Sequence, residues 1–376
     1  MSAVIGKRGK MTKQTKVVAM VQLPPPMHGA AQMNRHAVTA LAKNFDLHVI
    51  EMRFARTLSA LNRFSLRKVG MAMWLILQMI RALPRADALY ISFAPTGFAY
   101  YRDCLYVLVA KLFGVPAILH LHGRGLPAMR RSRWSKTLQQ LVFKDQTVVL
   151  LGERLRPEIE GLQCHSSVIN NCLDTDAFLP PSATPWSPHD PVRLLWLSNL
   201  FKAKGIETLL VACTILRAQD TNCHLTIAGA NGDIEETDLL SLLNRYQMQD
   251  ATTFLGAVPA SSRQATLQDA DLFIFPSHYA NEAQPLVVLE AMAAGLPVIA
   301  TDIATLPEFV QHNATGLLCP PKDPARLAKM IKHAIHAQAI VTNMRDDAYK
   351  LCCDKFSQDK FADRLVELVH DVVEKR

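Results

Sequence analysis

FIFPSHYANEAQPLVVLEAMAAGLPVIATD, residues 273–302, reads as two buried strands joined by a helix. The apolar run Phe273–Phe275 stops at Pro276, which cannot donate to a strand ladder, so a loop follows. Leu286 to Ala294 is apolar on nearly every side and predicts a buried helix. Gly295–Leu296–Pro297 ends that helix, and Val298–Thr301 predicts a second buried strand. Strand, helix and strand in so short a span make a parallel crossover, the unit of an α/β sheet covered on both faces.

The same alternation extends in both directions. Upstream, VVAMVQ, DLHVIEM, ALYISF, AILHLH, TVVLL and SVIN read as strands, with helical stretches such as Ala30–Asn44, Leu66–Leu83 and Phe98–Phe113 between them. Five prolines after Phe178 and before Val192 exclude both helix and central strand and mark a domain boundary. A second series then begins with RLLWLS, a helix from Gly205, HLTIAG and a helix near Glu235. TFLG, DLFIFP, the helix across Glu290, PVIAT, GLLC and terminal helices complete it. The predicted divisions are a disordered basic tail over 1–15, a first domain over 16–177, a linker over 178–191, a second domain over 192–355 and a C-terminal helix over 356–376 placed to pack back on the first domain. Ligands of such sheets bind beyond the carboxyl ends of the strands, so the cleft between the two domains is the expected site.

Composition narrows the classes. The chain has 376 residues, 49% hydrophobic and 20% charged, enough for two cores of moderate size. Its eight cysteines form no Cys-x-x-Cys pair and no zinc spacing, which suits a reducing cytoplasm. The five basic residues of Met1–Lys16 precede no apolar run of the signal-peptide kind, and Val69–Ile80 is too short to span a bilayer. A net charge of +8 favours anionic partners such as nucleotide phosphates or acidic headgroups. Nucleic acid is excluded as a partner, because neither a zinc finger nor an RNP-type motif nor a basic block beyond the tail is present. A dinucleotide-dependent dehydrogenase is disfavoured, because no G-x-G-x-x-G follows a strand.

Four loops carry the chemistry, and each follows a strand. Glu282 falls in the loop before the helix and Glu290 lies within it, eight positions on. A carboxylate inside so apolar a helix needs a hydrogen-bond donor, and the hydroxyls of a ribose would supply two. Leu197-Ser-Asn-Leu-Phe-Lys-Ala-Lys-Gly205 opens the first helix of the second domain, where a lysine and free amides favour a pyrophosphate. Ile118-Leu-His-Leu-His-Gly-Arg-Gly125 runs from a strand into a glycine loop, and alternation puts His120 and His122 on one face. Leu23-Pro-Pro-Pro-Met-His-Gly-Ala-Ala31 joins the first strand to the first helix, and Gly29 permits close approach of a ligand.

These segments resemble the retaining glycosyltransferase family 4, of the type found in polysaccharide and lipopolysaccharide assembly. Glu282 and Glu290 match its E-x7-E signature, although its E-G-F-G-L becomes Glu282-Ala-Gln-Pro-Leu286. The loop at Leu197 is similar to G-R-L-x-x-x-K-G, with Lys204 in the lysine position and Asn199 in place of the arginine. The proline loop resembles a P-P-P-x-H-G form, and His122 matches a histidine at the cleft end of its strand; His120 reads as structural.

The resemblance implies the GT-B fold, two facing Rossmann-like doubly wound α/β domains with a cleft between them. The first domain would bind the acceptor and the second the nucleotide sugar. Catalytic roles fall to His122, Glu282 and Lys204, and donor binding to Gly29, Asn199, Lys204, Gln284, Leu286 and Glu290. Ala283, Gln284 and Leu286 are the expected backbone donors to the sugar and pyrophosphate. The implied donor is a UDP- or GDP-linked sugar used as co-substrate, with no cofactor. The acceptor would be lipid-linked or a saccharide, in bacterial surface polysaccharide assembly.

Asp174-Thr-Asp176 mimics a D-x-D metal motif but lies in a segment similar to the family's N-G-V-D-x-x-x-F, so no metal is implied. Asn313-Ala-Thr315 fits a glycosylation sequon and reads as a surface turn. Apolar helices around Trp74 and Tyr106, with Arg63, Arg67, Lys68 and Arg81 nearby, would suit docking on an anionic inner-membrane surface, giving a cytoplasmic, peripheral protein; equally, much of Val69–Ile80 would cover the first sheet. Two alternatives stay open: a GT-B sugar-nucleotide 2-epimerase, and a non-catalytic nucleotide-sugar-binding subunit.

Overall fold

The computed structural model describes residues 14–25, 27–54 and 66–375. All but the last two residues of the expected basic tail lie outside them, as do Pro26, Arg63 and the side chain of Arg67.

The first unit runs β1 (Lys16–Val21), α1 (Gly29–Asn44), β2 (Asp46–Glu51), α2 (Leu66–Ala82), β3 (Ala88–Phe93), α3 (Gly97–Leu112), β4 (Ala117–Leu121), α4 (Arg133–Phe143), β5 (Thr147–Leu150) and β6 (His165–Val168). Its six strands are all parallel, in the order β2-β1-β3-β4-β5-β6. Strands such as β1, KVVAMV, are buried along almost their whole length because helices cover both faces.

The second unit runs β7 (Val192–Leu197), α5 (Ile206–Arg217), β8 (Cys223–Ala228), α6 (Glu236–Arg245), β9 (Thr252–Phe254), α7 (Ala260–Gln268), β10 (Leu272–Phe275), α8 (Leu286–Ala293), β11 (Val298–Thr301), α9 (Leu306–Phe309) and β12 (Leu317–Cys319). Its sheet is also parallel, in the order β12-β11-β10-β7-β8-β9. Helices α10 (Pro324–His336), α11 (Gln338–Lys355) and α12 (Gln358–Glu374) close the chain.

The strand order reverses between β1 and β3 in one sheet and between β7 and β10 in the other. Ligands of open α/β sheets sit at such switch points, so the loops after these strands are where a site belongs. The segment Phe178–Pro191 forms neither helix nor strand. It is anchored to the second unit by Trp186, whose indole donates to the Asp271 carbonyl at 3.1 Å.

The chain crosses back at its end. Phe361, Leu365 and Val369 of α12 share one buried cluster with Leu41 of α1, with Phe45 just after it, and with Leu289 and Met292 of α8. The Phe45 and His370 rings lie 5.0 Å apart. This cluster bridges both units and fixes the two facing ends of the sheets.

Helix α2 departs from expectation. Of the stretch Val69–Ile80, Leu75 and Met79 are buried, while Val69, Met73, Trp74, Leu77 and Ile80 are 43% to 55% exposed. The sheet therefore takes one narrow stripe of the helix. Tyr106 is fully buried and belongs to the core of the first unit, so it offers nothing to a surface. Among the described residues no helix is long and apolar enough to cross a membrane.

Candidate functional site

The loop after β10 is built to hold a carboxylate. Ser277 Oγ donates to Glu282 Oε2 at 3.2 Å, and Thr301 at the end of β11 and Thr305 just before α9 donate to the carbonyls of Ser277 and Ala283 at 2.6 and 2.7 Å. Glu282 precedes the helix, which starts at Leu286, as the loop reading requires. The loop after β7 packs directly on it. Gly205 has φ +82°, and a Cβ there would lie 2.0 Å from the Pro276 carbonyl oxygen, so only glycine lets the two loops touch. The amide of His278 donates to the Ala203 carbonyl at 2.8 Å, closing the contact.

That contact brings together two residues whose pairing no spacing announces. Lys204 Nζ lies 2.5 Å from Glu282 Oε2, with the two side chains 15% and 9% exposed. The sequence assigned the lysine to a pyrophosphate and the glutamate to a sugar as separate contacts; the fold makes them one ion pair. Lys204 Nζ also sits 5.1 Å from the Tyr279 ring centre. Asn199 is half-buried at the start of the same loop, and Lys202 is exposed.

Glu290 faces the other end of the site. Its Oε1 accepts from Arg263 Nη1 of α7 at 2.9 Å, while Oε2 and Arg263 Nε are buried without a partner among the described residues. Burial raises the Glu290 carboxyl above its ordinary value; Arg263 opposes the shift, and Asp174 and Asp176 add to it. Glu290, Arg263, Asp174, Asp176, Arg35 and Met27 line a cavity of about 200 Å³ between the two units. Asp174 is held by Arg35 at 3.0 Å and by Gln358 at 2.9 Å. Among the described residues no group of three or more His, Cys, Asp or Glu side chains is arranged to hold a metal.

From the first unit, the loops after β1 and β4 close on the same region. A Cβ on Gly29 would lie 3.6 Å from Leu286 Cδ1, so the start of α1 meets the start of α8. A Cβ on Gly123 would lie 3.6 Å from the Asn281 carbonyl oxygen, which sets the loop of His122 against the loop of Glu282. His122 stacks on His120 with ring centres 4.1 Å apart, and His120 Nδ1 is 2.7 Å from the Tyr90 hydroxyl. Neither ring nitrogen of His122 has a partner among the described residues. Burial and the neighbouring His28 push His122 down to about 3, so it is a neutral imidazole across the physiological range.

Two residues make contacts that the sequence did not announce. Gln284 is committed to the first unit, since its Oε1 accepts from the Asn171 amide at 2.6 Å and its carbonyl from Asn171 Nδ2 at 2.9 Å. It locks the domains together. His28, passed over in favour of Gly29, caps α1 by accepting from the Ala31 amide at 3.3 Å and leaves Nε2 buried without a partner among the described residues. Its signal was present in the sequence: a histidine just before a helix start in a loop that follows a strand. Arg263 gave none.

Residues 185–351 match the family model described as glycosyl transferases group 1. Over 157 residues, 41% of this chain, the sequence is 32% identical to the amylovoran biosynthesis glycosyltransferase AmsK of Erwinia amylovora. Over 253 residues, 65% of this chain, it is 30% identical to the putative colanic acid biosynthesis glycosyltransferase WcaL of Salmonella typhimurium. The matched stretches span 38% and 60% of those two proteins. The fold is similar to that of HepE from Anabaena in complex with UDP, with a TM-score of 0.72 at 16% identity, covering 95% of this chain and 100% of that one. Two six-stranded parallel sheets meet at the loops just described in a two-domain fold of the GT-B type, and residues 185–351 of it are the stretch similar to the group 1 glycosyl transferases.

Proposed function

We propose that the chain transfers a sugar from a UDP- or GDP-linked donor to a saccharide or lipid-linked acceptor in the assembly of a surface polysaccharide. The observation that carries this reading is the open oxygen of Glu290, set in a cavity whose neighbouring loops end at the Lys204–Glu282 pair and at His122. The printed names of AmsK and WcaL, and the UDP in the HepE structure, support the class of reaction and of donor.

In this reading Glu290 accepts from the ribose and the diphosphate runs toward Lys204. Glu282 and the neutral His122 orient the transferred sugar. As the bond between the anomeric carbon and the diphosphate oxygen breaks, negative charge grows on the leaving group, and Lys204 with the amides of the α8 start stabilises it. The acceptor hydroxyl oxygen bonds to the anomeric carbon from the same face, and its proton passes to the departing phosphate, which gives retention. Metal independence rests on the commitment of Asp174 to Arg35 and Gln358. Undiminished turnover in EDTA is expected, and a specific manganese requirement would contradict this part.

Binding tests the donor site directly. Glu290→Gln should weaken UDP or GDP binding roughly 10- to 100-fold by calorimetry, the value of one hydrogen bond to a charged group. Unchanged affinity for both nucleotides would remove Glu290 from the site. The proposed location is the cytoplasmic face of a membrane, reached through the exposed stripe of α2.

A further inference from the structure

We infer that Arg263 is a specificity-determining residue that, with Glu290, reads a hydroxyl of the donor's ribose. The inference rests on the nucleotide reading of the Glu290 cavity and goes beyond it, because Arg263 lies on α7, in none of the four loops to which that reading assigns a role.

The argument starts from what the ion pair leaves unsatisfied. Arg263 Nη1 and Glu290 Oε1 bond each other at 2.9 Å, yet Arg263 Nε and Glu290 Oε2 are both buried without a partner among the described residues. A buried unpaired donor and a buried unpaired acceptor each cost stability, and both here belong to charged groups. The pair lines the cavity, with the glutamate side chain 7% exposed and the arginine 29%.

The ligand group that satisfies both atoms must accept from Nε and donate to Oε2. A single hydroxyl does this with one oxygen. A phosphate oxygen only accepts, and it would bring negative charge beside Glu290, Asp174 and Asp176, which Arg35 and Arg263 only partly offset. An amide N–H only donates. The cavity therefore takes the uncharged nucleoside end of the donor, with the phosphates directed away. Of the groups on a nucleoside, the ribose 2′- and 3′-hydroxyls fill both roles with one atom, whereas a base edge needs an N–H and a C=O side by side and would leave the deoxy forms bound as tightly as the ribonucleotides. A site whose buried polar atoms are matched by a substrate hydroxyl rejects the analogue that lacks it.

Calorimetric titration tests this with UDP, GDP and their 2′-deoxy and 3′-deoxy forms against wild type, Arg263→Lys, Arg263→Met and Glu290→Gln. The lysine variant keeps the charge beside Glu290 while losing the guanidinium fork, so it separates hydroxyl reading from simple neutralisation. Wild type should prefer the ribonucleotide over at least one deoxy form by roughly 10- to 100-fold. Both Arg263 variants should shrink that ratio to within a few-fold. A wild type that does not discriminate overturns the inference without requiring any variant to fold. Arg263→Lys and Arg263→Met keeping the wild-type ratio also overturns it. If Glu290→Gln collapses the ratio and Arg263→Lys does not, the arginine inference alone fails. If wild type binds none of the nucleotides, the donor reading of the cavity fails and this inference falls with it.

Discussion

Lys204 and Glu282 meet 2.5 Å apart from loops 78 residues apart in sequence, and each depends on the other more than on solvent. Removing one partner of such a pair leaves a mostly buried charge, which typically costs ~3–5 kcal/mol. Lys204→Met and Glu282→Gln should each lower the unfolding free energy by that order in chemical denaturation. The double variant should cost less than the sum, and Lys202→Met, at an exposed position, should cost nothing measurable. Additive losses would mean that the pair is not a unit. The sequence made each residue legible as a candidate through its place after a strand, but not the pairing, which only the contact of Gly205 with Pro276 creates. The contact of Gln284 with Asn171 was illegible for a related reason: Asn171 belongs to the other domain, and no local pattern reports that.

Among the elements, the parallel strands were legible because helices on both faces leave continuous apolar runs, and α8 was legible because its apolar residues surround a single glutamate. Helix α2 was harder, since an apolar face reads alike whether a sheet or something else covers it. The structure leaves Val69, Met73, Leu77 and Ile80 exposed along one side, with Trp74 beside them and exposed Arg81 and Arg85 near the end. A stripe at that spacing with basic flanks fits the interface of an anionic bilayer. The chain should sediment with vesicles containing phosphatidylglycerol and much less with neutral ones, and Trp74→Ser with Leu77→Ser should reduce the sedimented fraction severalfold. Equal partition onto both vesicle types, unaffected by the substitutions, would leave the stripe without this role.

For the whole molecule, the cleft concentrates groups that burial holds uncharged. His28, His120 and His122 are all shifted below their ordinary value of 6.5, with burial the largest cause in each. A histidine whose folded value is depressed binds fewer protons folded than unfolded, so its contribution is present above 6.5 and is lost as pH falls below it. For His122 that loss continues down to about 3, with a slope approaching ~1.4 kcal/mol per pH unit. Glu290 has the opposite sign, because its folded value is raised: the chain loses stability as pH rises through that value. Denaturation curves should therefore fall less steeply below pH 6.5 in His122→Phe than in wild type, and parallel curves would contradict the buried neutral histidine.

These groups have one shared purpose in this account, the transfer of a sugar out of a nucleotide, and turnover decides it. Purified chain incubated with labelled UDP- and GDP-sugars and a bacterial lipid extract should release a nucleoside diphosphate in step with labelled saccharide, whose new linkage keeps the anomeric configuration of the donor. Recovery of an epimerised nucleotide sugar, or nucleotide binding with no release under any donor, would contradict the account.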